Sequence, residues 1–345
     1  MSLKITAVRG YEILDSRGNP TLKARVTLSD GSTGYGYVPS GASTGEGEAL
    51  ELRDHDAKCY LGKGVSKACR NLEQDIAAII IGRNPYDQDA IDADLIESDG
   101  TVNKVAIGAN AMLAASLAIA DAAANAAQLP MYAYLGGDRI TLPVPFMNII
   151  NGGAHANNTL DVQEFMIVPH AFPTFSEAMR AGVETYHHLR TALAEAGHST
   201  AVGDEGGFAP NFKKTTQALD FIVQAIEKAG YTPGEQIGIA LDVAASELFA
   251  DGQYHLKGEK KALDANEMVA WYQKLIKKYP LLSIEDGLAQ DDWAGWAAMN
   301  TALGEKMQLV GDDIFVTSMA KLNKGLKEKS ANAILIKPNQ IGTLT

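Results

Sequence analysis

Cysteine is almost missing from this 345-residue chain: Cys59 and Cys69 are the only two. Their spacing fits no zinc motif, and neither a disulfide scaffold nor an oxidising compartment is indicated. A basic surface is missing as well. Thirty Lys and Arg stand against 42 Asp and Glu, a net charge of -12. That balance argues against nucleic acid or an anionic membrane as partner, but leaves room for an anionic small substrate met by local cations or a metal. Long apolar runs are missing too. The N-terminus, MSLKITAVRGYEILDS, lacks a signal peptide's apolar core and cleavage site. The alanine-rich stretch VAIGANAMLAASLAIADAAANAAQ is interrupted by Asn110, Asp121 and Asn125, and reads as a buried helix of a soluble protein. The glycine-rich loop PSGASTGEGE lacks a P-loop lysine, and no Gly-x-Gly-x-x-Gly follows a strand, so a nucleotide site has little support. That loop either closes over a phosphorylated ligand or is a plain connection. The expectation is a cytoplasmic protein without nucleic-acid or membrane partners.

What is present divides in two. Leu22, Ala24, Val26 and Leu28 alternate with polar residues, and Ser29-Asp30-Gly31 turns the chain into GSTGYGYV, the pattern of antiparallel strands. Helical patterning then continues to about Gln128, and LGGD at Leu135 to Asp138 offers a boundary. This sets an α+β domain over 1–137 and a second domain over 138–345. In the second, short apolar strands alternate with helices. The strands are VPFMNII, QEFMIVP, AVGDEGG, IGIALD, LLSIED, MQLVGDD and AILIK. Repeated β-then-α units imply a parallel sheet, either a barrel or a doubly wound one.

The strand ends favour the barrel. Asp242, Glu285, Asp312 and Lys337 close successive strands, at separations of 43, 27 and 25 residues. In a (β/α) barrel such ends converge on one mouth, whereas an open sheet spreads them along an edge. Any one acid at a strand end is an ordinary loop residue or helix cap. Three together repel one another unless a cation lies between them, and hard oxygen ligands without His or thiolate suit Mg2+. Asp286 and Asp313 are ambiguous by one position, because alternation lets only one of each pair point inward. Lys337 is either a salt-bridge partner of Asp312 or a base. With a divalent metal nearby to lower its pKa, an amine of this kind can remove a proton α to a carboxylate. GDEGGFAP presents Glu205 in a glycine-rich turn, and NGGAHANNTLDVQEFM presents His155, Gln163 and Glu164.

At these residues the chain resembles the enolases. The motifs DSRGNPT, PSGASTGEGEALELRD, NGGAHANN, QEFMIVP, GDEGGFAP, ALDVAASE, SIEDGL, GDD and LIKPNQIGT occur in the family's order from one end to the other. The resemblance implies a small α+β capping domain followed by an enolase-type (β/α)8 barrel with an irregular ββαα start. It implies Mg2+-dependent dehydration of 2-phosphoglycerate to phosphoenolpyruvate, with two Mg2+ per site, one of high affinity. By the resemblance, Lys337 is the base at C2, and Glu205, partnered by Glu164, is the acid for the C3 hydroxide. Asp242, Glu285 and Asp312 are ligands of the first Mg2+, and Ser43 reaches the second. His155 and Gln163 are substrate-proximal, with Glu164, Asp312 and Lys337 also near the substrate. A cytoplasmic homodimer is implied, with surface or secreted pools known in the family. Against the family pattern, the barrel is expected to stop after about its sixth strand. A His-Arg-Ser phosphate-binding segment and a second lysine are then missing, so the alternative to an active enolase is a non-catalytic fragment or binding protein.

Overall fold

The computed structural model describes residues 2–41, 44–137 and 141–345. The chain divides into two compact units. The first comprises Met1–Gly41, Glu46–Thr141 and Lys337–Thr345, and the second comprises Ala42–Gly45 and Leu142–Ile336.

The first unit opens with an antiparallel meander of β1 (Ile5–Leu14), β2 (Pro20–Leu28) and β3 (Thr33–Tyr37). The predicted alternation holds, with Leu22, Ala24, Val26 and Leu28 buried on one face. Next comes α1 (Ser66–Asn71), which runs through a π turn over Leu72–Ile76 into α2 (Ala77–Ile80). Three more helices follow: α3 (Gln88–Asp99), α4 (Ala109–Ala126) and the short α5 (Met131–Gly136). The alanine-rich stretch is α4, packed against β2 and β3. No described helix is long and apolar enough to cross a membrane.

The reason for alanine in α4 is distance. A Cβ built on Gly34 would lie 2.0 Å from the Ala122 nitrogen, and one on Gly36 would lie 2.1 Å from the Ala114 carbonyl oxygen. Both glycines occupy one face of β3. Ala114, Ala118 and Ala122, four residues apart, form the matching stripe on the helix. Backbone meets backbone there, so the contact tolerates no side chain on the strand.

In the second unit the sheet begins with β4 (Met147–Asn151) and β5 (Glu164–Pro169), followed by α6 (Phe175–Glu195) and α7 (Thr215–Lys228). After β6 (Ile237–Asp242) comes a small separate sheet of β7 (Phe249–Ala250), β8 (Gln253–Leu256) and β9 (Lys261–Leu263). Then α8 (Ala265–Lys278), β10 (Leu281–Glu285), α9 (Trp293–Leu303), β11 (Gln308–Gly311), α10 (Met319–Glu328) and β12 (Ala333–Ile334) alternate. The helix starts follow from the sequence. Asp264 and Glu267 form a capping box on α8, while Thr174, Asp292 and Ser318 accept from the first-turn amides of α6, α9 and α10. The chain ends in α11 (Pro338–Ile341), within the first unit. There Leu344 donates to Ser116 Oγ, and Thr345 donates to the buried Asp92 carboxylate through both its amide and its hydroxyl.

Strand order in the main sheet is β12-β11-β10-β6-β5-β4. From β6 to β12 the pairing is parallel, as the β-then-α rhythm predicts. Three details refine the sequence reading, and the order β4, β5, α6, α7 is the ββαα start that the resemblance implies. β5 is antiparallel to both neighbours, because it follows β4 through a loop with no crossover helix. AVGDEGG is not a strand; Val202 contributes one isolated bridge to Phe208, and Gly206, at φ +84, turns the chain between them. The 43-residue interval before Glu285 is long because the β7–β9 sheet is inserted in it. No finding bears out the expectation of a shortened barrel; the main sheet of the described residues has six strands.

The two faces of this sheet bury different sets. Phe165, Ile167, Ile239, Leu241, Ile284 and Leu309 join the large core formed with the helices. Met166, Val168 and Ala240, with Leu282 against them, form a small cluster of their own. Residues alternate between faces, so Glu164 and Asp242 share the face of Met166 and Ala240. The helix-free face therefore carries the acids.

A Gly36→Ala substitution tests the close approach in the first unit. Overpacking of this kind costs about 1–3 kcal/mol or more, so the midpoint of urea unfolding should fall accordingly. An unchanged midpoint would show that α4 is not held against β3 as described.

Candidate active site

Register brings the acids together. Glu164 pairs with Asp242 across the antiparallel β5–β6 ladder, and Asp242 pairs with Glu285 across the parallel β6–β10 ladder. Paired residues project from the same face, so three carboxylates stand abreast on three adjacent strands. Glu285 in turn pairs with Val310, and Asp312, two residues further, follows the same alternation just past β11.

Asp242 and Asp286 are held by neighbouring amides. Asp242 is buried; its Oδ1 accepts from the Ala244 amide at 2.9 Å and its Oδ2 from the Gln163 side-chain amide at 3.1 Å. Burial, reinforced by the negative charges of Asp242, Asp286, Asp312 and Glu164, pushes the Glu285 carboxyl well above the usual carboxylate range. Asp286 is raised for the same reasons, burial first and then Asp313, Asp242 and Asp312. The one-residue ambiguity of the sequence acquires a structural content. The Asp286 carboxylate accepts from the Asp312 and Asp313 amides, both at 3.0 Å, while Glu285 stays in the ladder abreast of Asp242. Among the described residues, Asp286, Asp312 and Asp313 also form one of two groups whose ligand atoms lie within 4.8 Å of one another.

The second such group is His155, Glu164 and Glu205. His155 is 4% exposed, with Nδ1 at 3.4 Å from Glu164 Oε1 and 3.8 Å from Glu205 Oε2. Among the described residues neither ring nitrogen has a hydrogen-bond partner, and neither has the buried Gln163 Oε1. Buried polar atoms of this kind are costly unless a ligand meets them.

The loop carrying Glu205 is tied to the end of β4. Gly203 and Gly207 bond to each other through their backbones, the Asp204 amide donates to the His155 carbonyl, and the Gly207 amide donates to Asn151 Oδ1. A Cβ on Gly203 would lie 2.5 Å from the His155 oxygen, so glycine is required where the two loops touch. Asn148 Nδ2 donates to Glu205 Oε2 at 3.1 Å. Sequence reasoning missed Asn148 and Asn151. Their signal was two amides interrupting the apolar strand VPFMNIIN.

The remaining predicted residues are placed less fully. Ser43 lies outside the described residues. Gly45, two residues on, sits against Asp313 and Val316. Lys337 is the N-cap of α11 in the first unit, three residues beyond the short ladder of β12.

The donor set fits a hard divalent cation. The acids clustered here supply carboxylate oxygens, and like charges held this close favour a cation over mutual ionisation. Mg2+ should therefore stabilise the protein, by about 2.7 kcal/mol at a hundredfold excess over its Kd. Glu285 and Asp286 hold protons more tightly folded than unfolded. Without metal, stability then falls as pH rises from the ordinary carboxylate range through their raised folded values. Mg2+ should offset that fall, and its effect should shrink in acid as protons compete. Thermal unfolding with Mg2+ or with EDTA across that pH range measures both; equal unfolding temperatures at neutral pH would contradict a metal site.

Comparison with known proteins agrees with this chemistry. Residues 5–135 match the family described as enolase, N-terminal domain, and residues 139–345 match enolase, C-terminal TIM barrel domain. The enolases of Helicobacter hepaticus and Wolinella succinogenes are each 56% identical over 343 residues, which is 99% of this chain and 81% of theirs. The enolase of a Nitratiruptor species is 54% identical over 342 residues. The family's reaction depends on Mg2+, and both acidic groups described above could hold a metal. With both halves matched and more than half of all positions shared, the chain belongs to the enolase family, the glycolytic lyases that dehydrate 2-phosphoglycerate to phosphoenolpyruvate.

Proposed function

We propose that this chain performs the enolase reaction with Asp242, Glu285 and Asp312 holding one Mg2+, Ser43 reaching a second, Lys337 as base and Glu205 as acid. The observation that supports this most is the alignment of Glu164, Asp242 and Glu285 on one face of three neighbouring strands. Bound by these acids, Mg2+ would stabilise the second negative charge that develops on the substrate's carboxyl group as C2 loses its proton.

The chain's own residues divide the proton work. Lys337 takes the C2 proton as a neutral amine, which requires positive charge or desolvation to hold its pKa down. Glu205 delivers a proton to the departing C3 hydroxyl. For that its carboxyl must be held in place, and Asn148 bonds it from one side while Glu164 and His155 lie in the same 4.8 Å group. Gln163 spends its amide N–H on Asp242 and keeps its oxygen for a donor on the substrate. His155, with both nitrogens unbonded among the described residues, is available to the phosphorylated substrate in the same way.

The protein works in the cytoplasm as a homodimer, as the family resemblance implies. Exposed Tyr11, Leu14, Tyr35 and Tyr37 on the first-unit meander offer apolar surface that a second copy could cover.

Ultraviolet absorbance of phosphoenolpyruvate formation tests the assignment. Lys337→Ala and Glu205→Gln should each lower kcat by about 10²–10⁴-fold, with the protein still folded by circular dichroism. An unchanged rate in Lys337→Ala would remove it as the base.

A further inference from the structure

We infer that Asp286 is the positioning residue that holds the three proposed Mg2+ ligands in register. The inference rests on the assignment of Asp242, Glu285 and Asp312 as those ligands. Asp286 follows Glu285 directly and is 4% exposed. Its φ of +43 lies in the left-handed region, which Asp tolerates better than most L residues and which the surroundings here hold in place.

Those surroundings are the three strand ends. The Asp286 amide donates to the Val310 carbonyl on β11 at 3.0 Å, and its carbonyl accepts from the Ala245 amide, just past β6, at 2.9 Å. One residue back, the Glu285 carbonyl accepts from the Val243 amide at 3.0 Å. The Asp286 side chain then completes the tie, Oδ1 accepting from the Asp312 amide and Oδ2 from the Asp313 amide. One residue thus fixes the backbone that follows Asp242, the backbone at Glu285 and the backbone of Asp312 itself. The left-handed turn at Asp286 directs its carboxylate sideways toward β11, away from the ladder that Glu285 continues.

A carboxylate is needed because two amides point at one side chain. Asparagine offers a single oxygen, so in Asp286→Asn one of the two N–H groups faces an NH2 and loses its partner. Asparagine also tolerates the left-handed conformation, so this substitution alters the tie and spares the turn. Asp161 supplies an internal control. It too is buried, and it accepts from two consecutive amides, Gly258 at 2.9 Å and Glu259 at 3.1 Å. None of the three proposed ligands sits at either amide.

Isothermal titration of Mg2+ into the full chain, with variants checked for folding by circular dichroism, tests the inference. Positioning groups behind metal ligands typically contribute 10–100-fold in affinity, and D286N should weaken Mg2+ binding by about that factor. Its Mg2+ requirement for activity should rise more than its kcat at saturating Mg2+ falls. D161N should bind Mg2+ as the unaltered protein does. Should D286N not fold, D286G is read instead; it accepts the backbone angle freely, lacks both acceptors and should weaken binding at least as much. Unchanged affinity in D286N, or an equal loss in D161N, would overturn the positioning role. D242N separates the two levels. If D242N abolishes Mg2+ binding while D286N leaves it intact, only the role of Asp286 fails. If D242N also binds normally, the ligand assignment itself has failed.

Discussion

Like charges held abreast at the ends of neighbouring strands are the constraint on which the second unit turns. Strand pairing sets Glu164, Asp242 and Glu285 side by side, and no side-chain rotation moves a paired backbone out of register. Burial first, and then the neighbouring acids, raise the Glu285 carboxyl well above the usual carboxylate range. A fold that gained nothing from this arrangement would relieve it by one apolar substitution. A site for a divalent cation needs it.

Much of the surrounding structure reads as support for that crowding. The main core, with Phe165, Leu241, Ile284 and Trp296, lies between sheet and helices and leaves the opposite face to the acids. Backbone amides do most of the holding: Ala244 binds Asp242, and the amides of Asp312 and Asp313 bind Asp286. Behind them, buried tyrosines brace the turn after Glu285. Tyr272 donates to the Gly287 carbonyl, and Tyr254 accepts from the Ala289 amide while donating to Asp292. Around Glu205 the ties come from Asn148, Asn151 and the backbone of His155. Neutral amide dipoles hold Asp242 and Glu205, and the Asp286 carboxylate ties the backbone of Asp312 and Asp313.

The β-then-α rhythm was legible because the later strands are apolar runs with an ionisable group at or just past their ends, and that pattern locates Asp242, Glu285 and Asp312 without reference to tertiary structure. Strand direction was not legible in the apolar runs themselves, only in the family resemblance with its ββαα start. β5 carries the same kind of run as its parallel neighbours, yet it is antiparallel, because only the connection between β4 and β5 decides it. The glycine-rich 201–207 segment imitated a strand in composition while its backbone makes a turn. The β7–β9 insertion was legible only as an excess of residues. Side-chain ties were the least legible part, since Asp286 differs from Glu285 by one position, and what separates them is a left-handed backbone angle that no spacing rule contains. Asn148 and Asn151 carried a signal, two amides in an apolar strand, whose meaning required the neighbouring loop.

The most direct test of the central claim is the location of a bound divalent ion. Mn2+, soaked into crystals in place of Mg2+, would be seen by its anomalous scattering. The account places one ion among carboxylate oxygens of Asp242, Glu285 and Asp312, at distances near the roughly 2.1 Å of a hard octahedral cation. An ion held instead by Asp286 and Asp313, or no ion on the helix-free face of the sheet, would contradict it.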